Sequence, residues 1–87
     1  MQAIPRTRRL VFSGRRQKDR DPARYCFMCG APLAGRTHRL IHVVNGGLDV
    51  LHPDDESLYE SDPGDMYFFH IGPACARALG ADWTQPW

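Results

Sequence analysis

The chain has 87 residues, of which 24% are charged and 43% hydrophobic, so its composition excludes global disorder and predicts one small soluble domain. The longest apolar runs are four or five residues, far below the roughly 20 that a membrane-spanning helix needs. The N-terminus has no apolar segment of the kind found in secretory signals, and we therefore expect a cytoplasmic protein that does not bind membranes.

Charge is divided unevenly along the chain. Residues 1–24 carry eight basic and two acidic side chains, a formal charge of +6, whereas residues 25–87 carry three basic and eight acidic ones, a formal charge of −5. We therefore divide the chain into an Arg-rich N-terminal arm, 1–24, and a folded domain, 25–87. Within the arm, the apolar residues of 9–12 favour a short strand. A solvated tail is the alternative interpretation of the arm.

The segment after the arm contains two cysteines with the spacing of metal ligands. The chain has three cysteines, an odd number that argues against a closed disulfide framework. Two residues separate Cys26 from Cys29, and this gap lets the chain turn back so that both sulfurs point to one centre about 2.3 Å away. Gly30 follows and supplies the positive φ that closes such a turn. This pattern is typical of a zinc knuckle.

A hairpin and an acidic segment come next. Apolar residues flank Asn45-Gly46, a strong hairpin signal that predicts strands near 38–44 and 47–51. Residues 52–65 are rich in Asp, Glu, Pro and Gly and predict an acidic loop. We expect ten apolar residues to form the core: Leu10, Val11, Phe12, Leu40, Val43, Leu48, Val50, Phe68, Ile71 and Leu79.

The C-terminal part predicts one strand and one helix. Residues 66–71 are aromatic and β-branched, as in a strand. Pro73 is favoured at the first helical position and Gly80 is a suitable residue after the last, so we expect a helix over 73–79. The sequence thus predicts a small α+β fold that contains a zinc knuckle, a β-hairpin and a short C-terminal helix.

The remaining metal ligands must come from residues after the knuckle. Cys75, the third cysteine, lies in the first turn of the predicted helix, where free backbone N–H groups favour a thiolate. A closed structural zinc site needs a fourth ligand, and the chain offers four histidines. His70 is favoured because it lies at a strand end five residues before Cys75. His42 and His52 are the main alternatives.

The order of knuckle, hairpin, strand and helix start resembles that of treble clef zinc fingers. The run His70-Ile71-Gly72-Pro73-Ala74-Cys75-Ala76-Arg77 is similar to the Gly-Pro-x-Cys-Ala endings of small treble-clef-like proteins from phages, plasmids and actinobacteria. The resemblance covers residues 25–80. It implies a structural Zn²⁺ ion and a treble-clef-like arrangement. The size, the charge polarity and the acidic loop of the chain are also compatible with a mobile-element inhibitor of a defence complex, such as an anti-CRISPR protein.

The sequence favours a non-enzymatic function over three enzymatic hypotheses. A redox Cys26–Cys29 pair calls for a helix directly after the motif, whereas Gly-Ala-Pro follows here. A catalytic zinc needs an open position and a base; without His70 as a ligand, Glu56 or Glu60 are conceivable bases, but no feature of the sequence fixes them near the metal. A His-Me nuclease needs a further metal-binding residue on the helix, which offers only Ala, Arg and Leu beyond Cys75.

Two binding functions remain. We favour a zinc-stabilised module that binds a host or partner protein, because the folded part is acidic and repels phosphates. The alternative is a nucleic-acid-binding zinc finger that uses the basic arm to neutralise phosphates. The candidate contact residues for these partners are Arg6, Arg8, Arg9, Arg15, Arg16, Asp54, Asp55 and Glu56.

Overall fold

A computed structural model describes residues 4–11, 24–33 and 38–86 and shows a mixed fold of antiparallel strands and one helix. The strands are β1 (Thr7–Arg9), β2 (Arg39–Val44), β3 (Asp49–Leu51), β4 (Tyr67–Ile71) and β5 (Gln85–Pro86), and the helix is α1 (Pro73–Leu79). Short 3-10 helices span Asn45–Gly47, Pro53–Leu58 and Ala81–Trp83. Among the described residues, no helix is both long and apolar enough to cross a membrane.

The sheet is built around β2. Its order is β1-β3-β2-β4, all pairs are antiparallel, and β5 pairs with the first two residues of β2. The predicted hairpin is present as β2 and β3, which are in register from Val44 opposite Asp49 to His42 opposite Leu51. Asn45, Gly46 and Gly47 all have positive φ in the turn, which explains why this sequence reverses the chain here.

Part of the predicted basic arm belongs to this sheet. Thr7–Arg9 form β1 and pair with Leu51–Asp49 of β3, so the strand lies earlier in the chain than the predicted 9–12. The Arg6 guanidinium and the Arg6 amide both donate hydrogen bonds to Asp55, at 2.8–3.1 Å. Residues 4–11 are therefore fastened to the domain. Arg15 and Arg16, like the predicted core residue Phe12, lie outside the described residues.

The two faces of the sheet carry different side chains, because successive residues of a strand point to opposite sides. One face carries apolar residues that pack with the cysteines, the N-terminal Leu10 and helix α1: Ile41, Val43, Val50, Phe69 and Ile71. The other face carries a second group: His42, Val44, Leu51, Phe68 and His70. We call the first face the sulfur face. Five of the ten core residues predicted from sequence pack in its cluster: Leu10, Val43, Val50, Ile71 and Leu79.

Three predicted core residues are exposed instead. Val11 is 70% exposed, Leu48 50% and Phe68 46%. Leu48 lies in the turn after β2, and Val11 lies beyond the end of β1, so neither has a packed surface over it. The predicted acidic loop also has more order than expected, because Pro53–Leu58 form a 3-10 helix that begins at a proline.

Helix α1 begins and ends where the sequence predicts. Pro73 is its first residue, and Gly80 follows its last with φ 112°. A side chain at Gly80 would be strained at this φ, and its Cβ would lie 3.1 Å from the Trp83 ring. Because the strand β4 ends at Ile71 and the helix starts at Pro73, Cys75 is placed one short turn away from the sheet.

Candidate metal centre

The knuckle is a tight hairpin attached to the outer edge of β4. Tyr25 pairs with Pro32, the Cys26 amide donates to the Ala31 carbonyl (2.8 Å), and Gly30 has φ 78°. The Phe27 amide donates to the His70 carbonyl (2.9 Å), and the Phe27 ring stacks on Phe69 with centroids 4.3 Å apart. The two knuckle cysteines are thereby held against the strand that leads to helix α1.

The Cys26 sulfur lies in an environment that favours its thiolate. Burial by itself raises the pKa of Cys26, but backbone amides of Gly72, Cys29 and Met28 donate hydrogen bonds to the sulfur. These bonds outweigh the burial, and the pKa of Cys26 lies below its ordinary value. Two of the amides belong to the knuckle and the third to the residue before helix α1, so both segments contribute to the same sulfur.

Cys75 completes a cluster of three sulfurs. The Sγ atoms of Cys26, Cys29 and Cys75 all lie within 4.8 Å of one another. Sulfurs at about 2.3 Å from a tetrahedral ion are about 3.8 Å apart, so the observed spacing fits a metal ion. All three cysteines of the chain lie in the described residues, and none forms a disulfide. The cluster therefore can hold a metal ion.

The electrostatics of Cys75 differ from the sequence expectation. Free amides at the start of the helix were expected to favour its thiolate, but burial and the nearby sulfurs of Cys26 and Cys29 raise the pKa of Cys75 to about 12. Three thiolates at this distance repel one another, and only a cation between them makes the fully deprotonated set favourable. The donor set is thus suited to a soft or borderline divalent ion.

His70, the predicted fourth ligand, is placed differently from the cysteines. The next residue, Ile71, is fully buried on the sulfur face, so strand alternation directs the His70 side chain to the other face. Its ring packs edge-on against His38, with centroids 4.9 Å apart. The sulfur cluster includes no ring nitrogen or carboxylate oxygen from the described residues. The assignment of His70 as a ligand remains a prediction, and the geometry does not support it.

The two alternative histidines have other contacts. The His52 ring packs edge-on against Trp83, and its Nδ1 accepts a hydrogen bond from the Asp54 amide. His42 is only 6% exposed and lies between two carboxylates. Its Nδ1 is 2.9 Å from Glu56 Oε1, and its Nε2 is 2.7 Å from Asp65 Oδ1.

This group of His42, Glu56 and Asp65, which we call the imidazolium cluster, was not found from the sequence. An ionised carboxylate can only accept, so both contacts are hydrogen bonds when both ring nitrogens of His42 carry protons, which is the charged form of the ring. Burial lowers the pKa of His42, but the bonds to Asp65 and Glu56 outweigh it and leave the pKa above its ordinary value. The Phe68 and Tyr59 rings pack against His42, with centroids at 4.7 and 5.2 Å. The sequence held one signal for this cluster: a histidine within an apolar strand, in a folded part that carries an excess of acidic residues.

Most of the predicted partner-binding residues that the structure describes have contacts within the chain. Arg6 pairs with Asp55, Arg8 donates to the Leu79 carbonyl, and Arg9 pairs with Asp49. Glu56 belongs to the imidazolium cluster. Three side chains of this set are nevertheless mostly exposed: Arg6 at 57%, Arg9 at 69% and Asp54 at 81%.

Comparisons with known proteins find no matching family model, no matching curated protein and no matching solved structure. The function must therefore be argued from the chemistry of this chain.

Proposed function

We propose that this chain is a non-enzymatic, zinc-stabilised interaction module with one Zn²⁺ ion held by the three cysteines. The observation that carries the proposal is the convergence of Cys26, Cys29 and Cys75, from opposite ends of the folded part, within 4.8 Å. Zinc is the ion of choice because thiolates in closed, tetrahedral surroundings are its usual structural ligands and because it brings no redox chemistry.

The metal would join the knuckle to helix α1. The knuckle touches the sheet through Phe27, and α1 is a helix of only seven residues. Structural zinc contributes an apparent ~10–16 kcal/mol in small fingers, which is as much as the ~5–15 kcal/mol net stability of a typical domain. The order of knuckle, hairpin, strand and helix around one ion supports a treble-clef-like arrangement.

Metal removal tests this proposal directly. We expect one zinc per purified chain, and we expect a strong chelator to abolish the near-ultraviolet circular dichroism and the cooperative melting transition, both of which return when zinc is added back. An unchanged melting temperature after complete removal of the metal would refute a structural zinc.

The surface beside β4 supports a protein partner. Met66, just before β4, and Tyr67 and Phe68, at its start, are 43%, 67% and 46% exposed and form an apolar surface that other chains can bind. Tyr67 also has φ 65°, a conformation that costs energy for an aromatic residue and that the Asp65 carboxylate supports by accepting its amide at 2.9 Å. Exposed Asp54, Glu60 and Asp62 lie in the preceding segment.

A partner with a basic surface fits this combination of aromatic and acidic residues. Inhibition of a defence complex is one role for such a module, because carboxylates can occupy a basic groove in place of phosphates. The nucleic-acid alternative receives less support, since Arg6, Arg8 and Arg9 already have partners within the chain.

The partner proposal can be tested with matched surface variants. We expect a defined partner, captured from host lysate, to be lost when Tyr67→Ser and Phe68→Ser are combined. It should be retained by Leu48→Ser, because Leu48 is equally exposed, at 50%, but lies in the β2–β3 turn. Binding to nucleic acid at low salt without any protein partner would favour the alternative.

A further inference from the structure

Among residues 4–11, 24–33 and 38–86, no fourth protein ligand joins the sulfur cluster. The chain contains three cysteines and four histidines, and all seven lie in the described residues. Three sulfurs form the cluster, whereas His42 and His52 bind elsewhere and His38 packs against His70 on the opposite face of the sheet. A tetrahedral ion on three sulfurs has one position left.

A cleft leads from the surface to the sulfurs. It has a volume of about 180 Å³ and is lined by Cys29 and Cys75, by apolar groups of Leu33 and Pro73, and by the Arg77 side chain. Cys29 is half-buried, whereas Cys26 and Cys75 are buried, so the cluster is accessible on the Cys29 side. A bulk water occupies about 30 Å³, and the cleft therefore has room for a molecule of a few heavy atoms.

We propose that the fourth ligand of the metal is exogenous, namely a small thiol that carries a negatively charged group. This inference rests on the proposed metal site. The thiol sulfur binds the metal as a thiolate, its proton passes to solvent, and it replaces a water molecule without any transfer of electrons. Its charged end lies towards Arg77.

Three features of the site select this class of ligand. A metal that three thiolates bind accepts a fourth soft donor readily. The apolar lining excludes large, strongly hydrated anions but accommodates a short carbon chain. Arg77 is the cation at the rim of the cleft and offers a guanidinium that pairs well with a carboxylate.

Cobalt(II) substitution provides the test, because its visible absorption reports the donors at a tetrahedral site. We expect mercaptoacetate to change the spectrum of the Co²⁺ protein in a saturable way and to bind more tightly than mercaptoethanol, which has the same donor but no charge. The advantage should be about two- to fivefold, as for an exposed ion pair. It should disappear in Arg77→Gln and persist in Arg77→Lys.

The His70 variants decide between an internal and an external ligand. His70→Phe keeps a ring against His38 but has no nitrogen, and His70→Ala removes the ring. We expect both to keep the cobalt affinity and the response to mercaptoacetate. A loss of affinity of about 100-fold or more in both variants, or a spectrum that no thiol changes, would overturn the exogenous ligand. Failure of the wild-type chain to bind Co²⁺ or Zn²⁺ at all would instead refute the metal site.

Discussion

The two faces of the sheet hold the molecule together by different chemistry. On the sulfur face, Cys26 and Cys29 meet Cys75, which lies more than forty positions later in the chain. On the other face, the imidazolium cluster joins His42 to Glu56 and Asp65, which follow within 23 residues. The first cluster is a set of like charges once it is deprotonated, and the second contains both signs.

This difference determines what each face needs from its surroundings. The fully deprotonated sulfur cluster becomes favourable only with a cation, so we expect its stability to depend on metal. The imidazolium cluster contains its own cation and depends on pH. It fastens the acidic segment to β2, and additional bonds from Ser61 and from the Tyr67 amide to Asp65 hold the exposed aromatic pair beside it. One face thus closes the fold, and the other positions the proposed binding surface.

The largest expected effect comes from losing a sulfur. Cys75→Ser should reduce the cooperative transition to that of the metal-free chain, because the proposed zinc would no longer supply the ~10–16 kcal/mol that it contributes in small fingers. Titration with zinc, followed by circular dichroism, should restore no stability in this variant. The matched control is His42→Gln, which should gain as much from zinc as the wild-type chain gains, since the two clusters share no side chain. An equal loss of the zinc response in both variants would show that the faces are not independent.

The imidazolium cluster should give a smaller effect that depends on pH. His42→Gln leaves the buried Asp65 carboxylate and the partly exposed Glu56 carboxylate without a full cation, and it should cost about 3 kcal/mol in zinc-loaded protein at pH 6. Because the pKa of His42 is raised in the folded state, its contribution is complete below the ordinary value of 6.5 and is lost as the pH rises through the higher, folded value. The wild-type chain should therefore lose stability as the pH rises from 6.5 through the folded pKa of His42, and the variant should not.

Denaturant melts from pH 6 to 9 at constant zinc measure this difference. A gap between wild type and variant that is constant over the whole range would mean that the pKa of His42 is the same in the folded and the unfolded chain.

The sequence predicted the metal cysteines because the signal is local. Cys26, Cys29 and Gly30 specify a knuckle, and Pro73 and Gly80 specify the ends of the helix that carries Cys75. Such features depend on backbone geometry within a few residues. The convergence of the three sulfurs follows from the position of Cys75, the one remaining cysteine.

The partners of the histidines depend on the register of the strands, which the sequence did not reveal. A shift of one residue in β4 would exchange His70 with Ile71 between the two faces. The sequence showed a histidine near Cys75 but not the face to which it belongs. In the same way, Asp55 and Glu56 looked like free acidic residues because their partners, Arg6 and His42, lie 49 and 14 positions away.

The smallest expected effects separate the arginines of the N-terminal segment. Arg9 pairs with Asp49 through one contact at 3.1 Å and is 69% exposed, so Arg9→Gln should change the free energy of unfolding by about 0.5 kcal/mol or less. Arg6 makes three hydrogen bonds to Asp55, whose pKa this contact lowers to about 2, and the Asp55 side chain is 12% exposed. Arg6→Gln should therefore destabilise the chain measurably more than Arg9→Gln and should release β1 from β3. Hydrogen exchange at the His52 amide would detect this release, because that amide donates to the Arg6 carbonyl. Equal effects of the two variants would mean that the Asp55 contact does not anchor the segment.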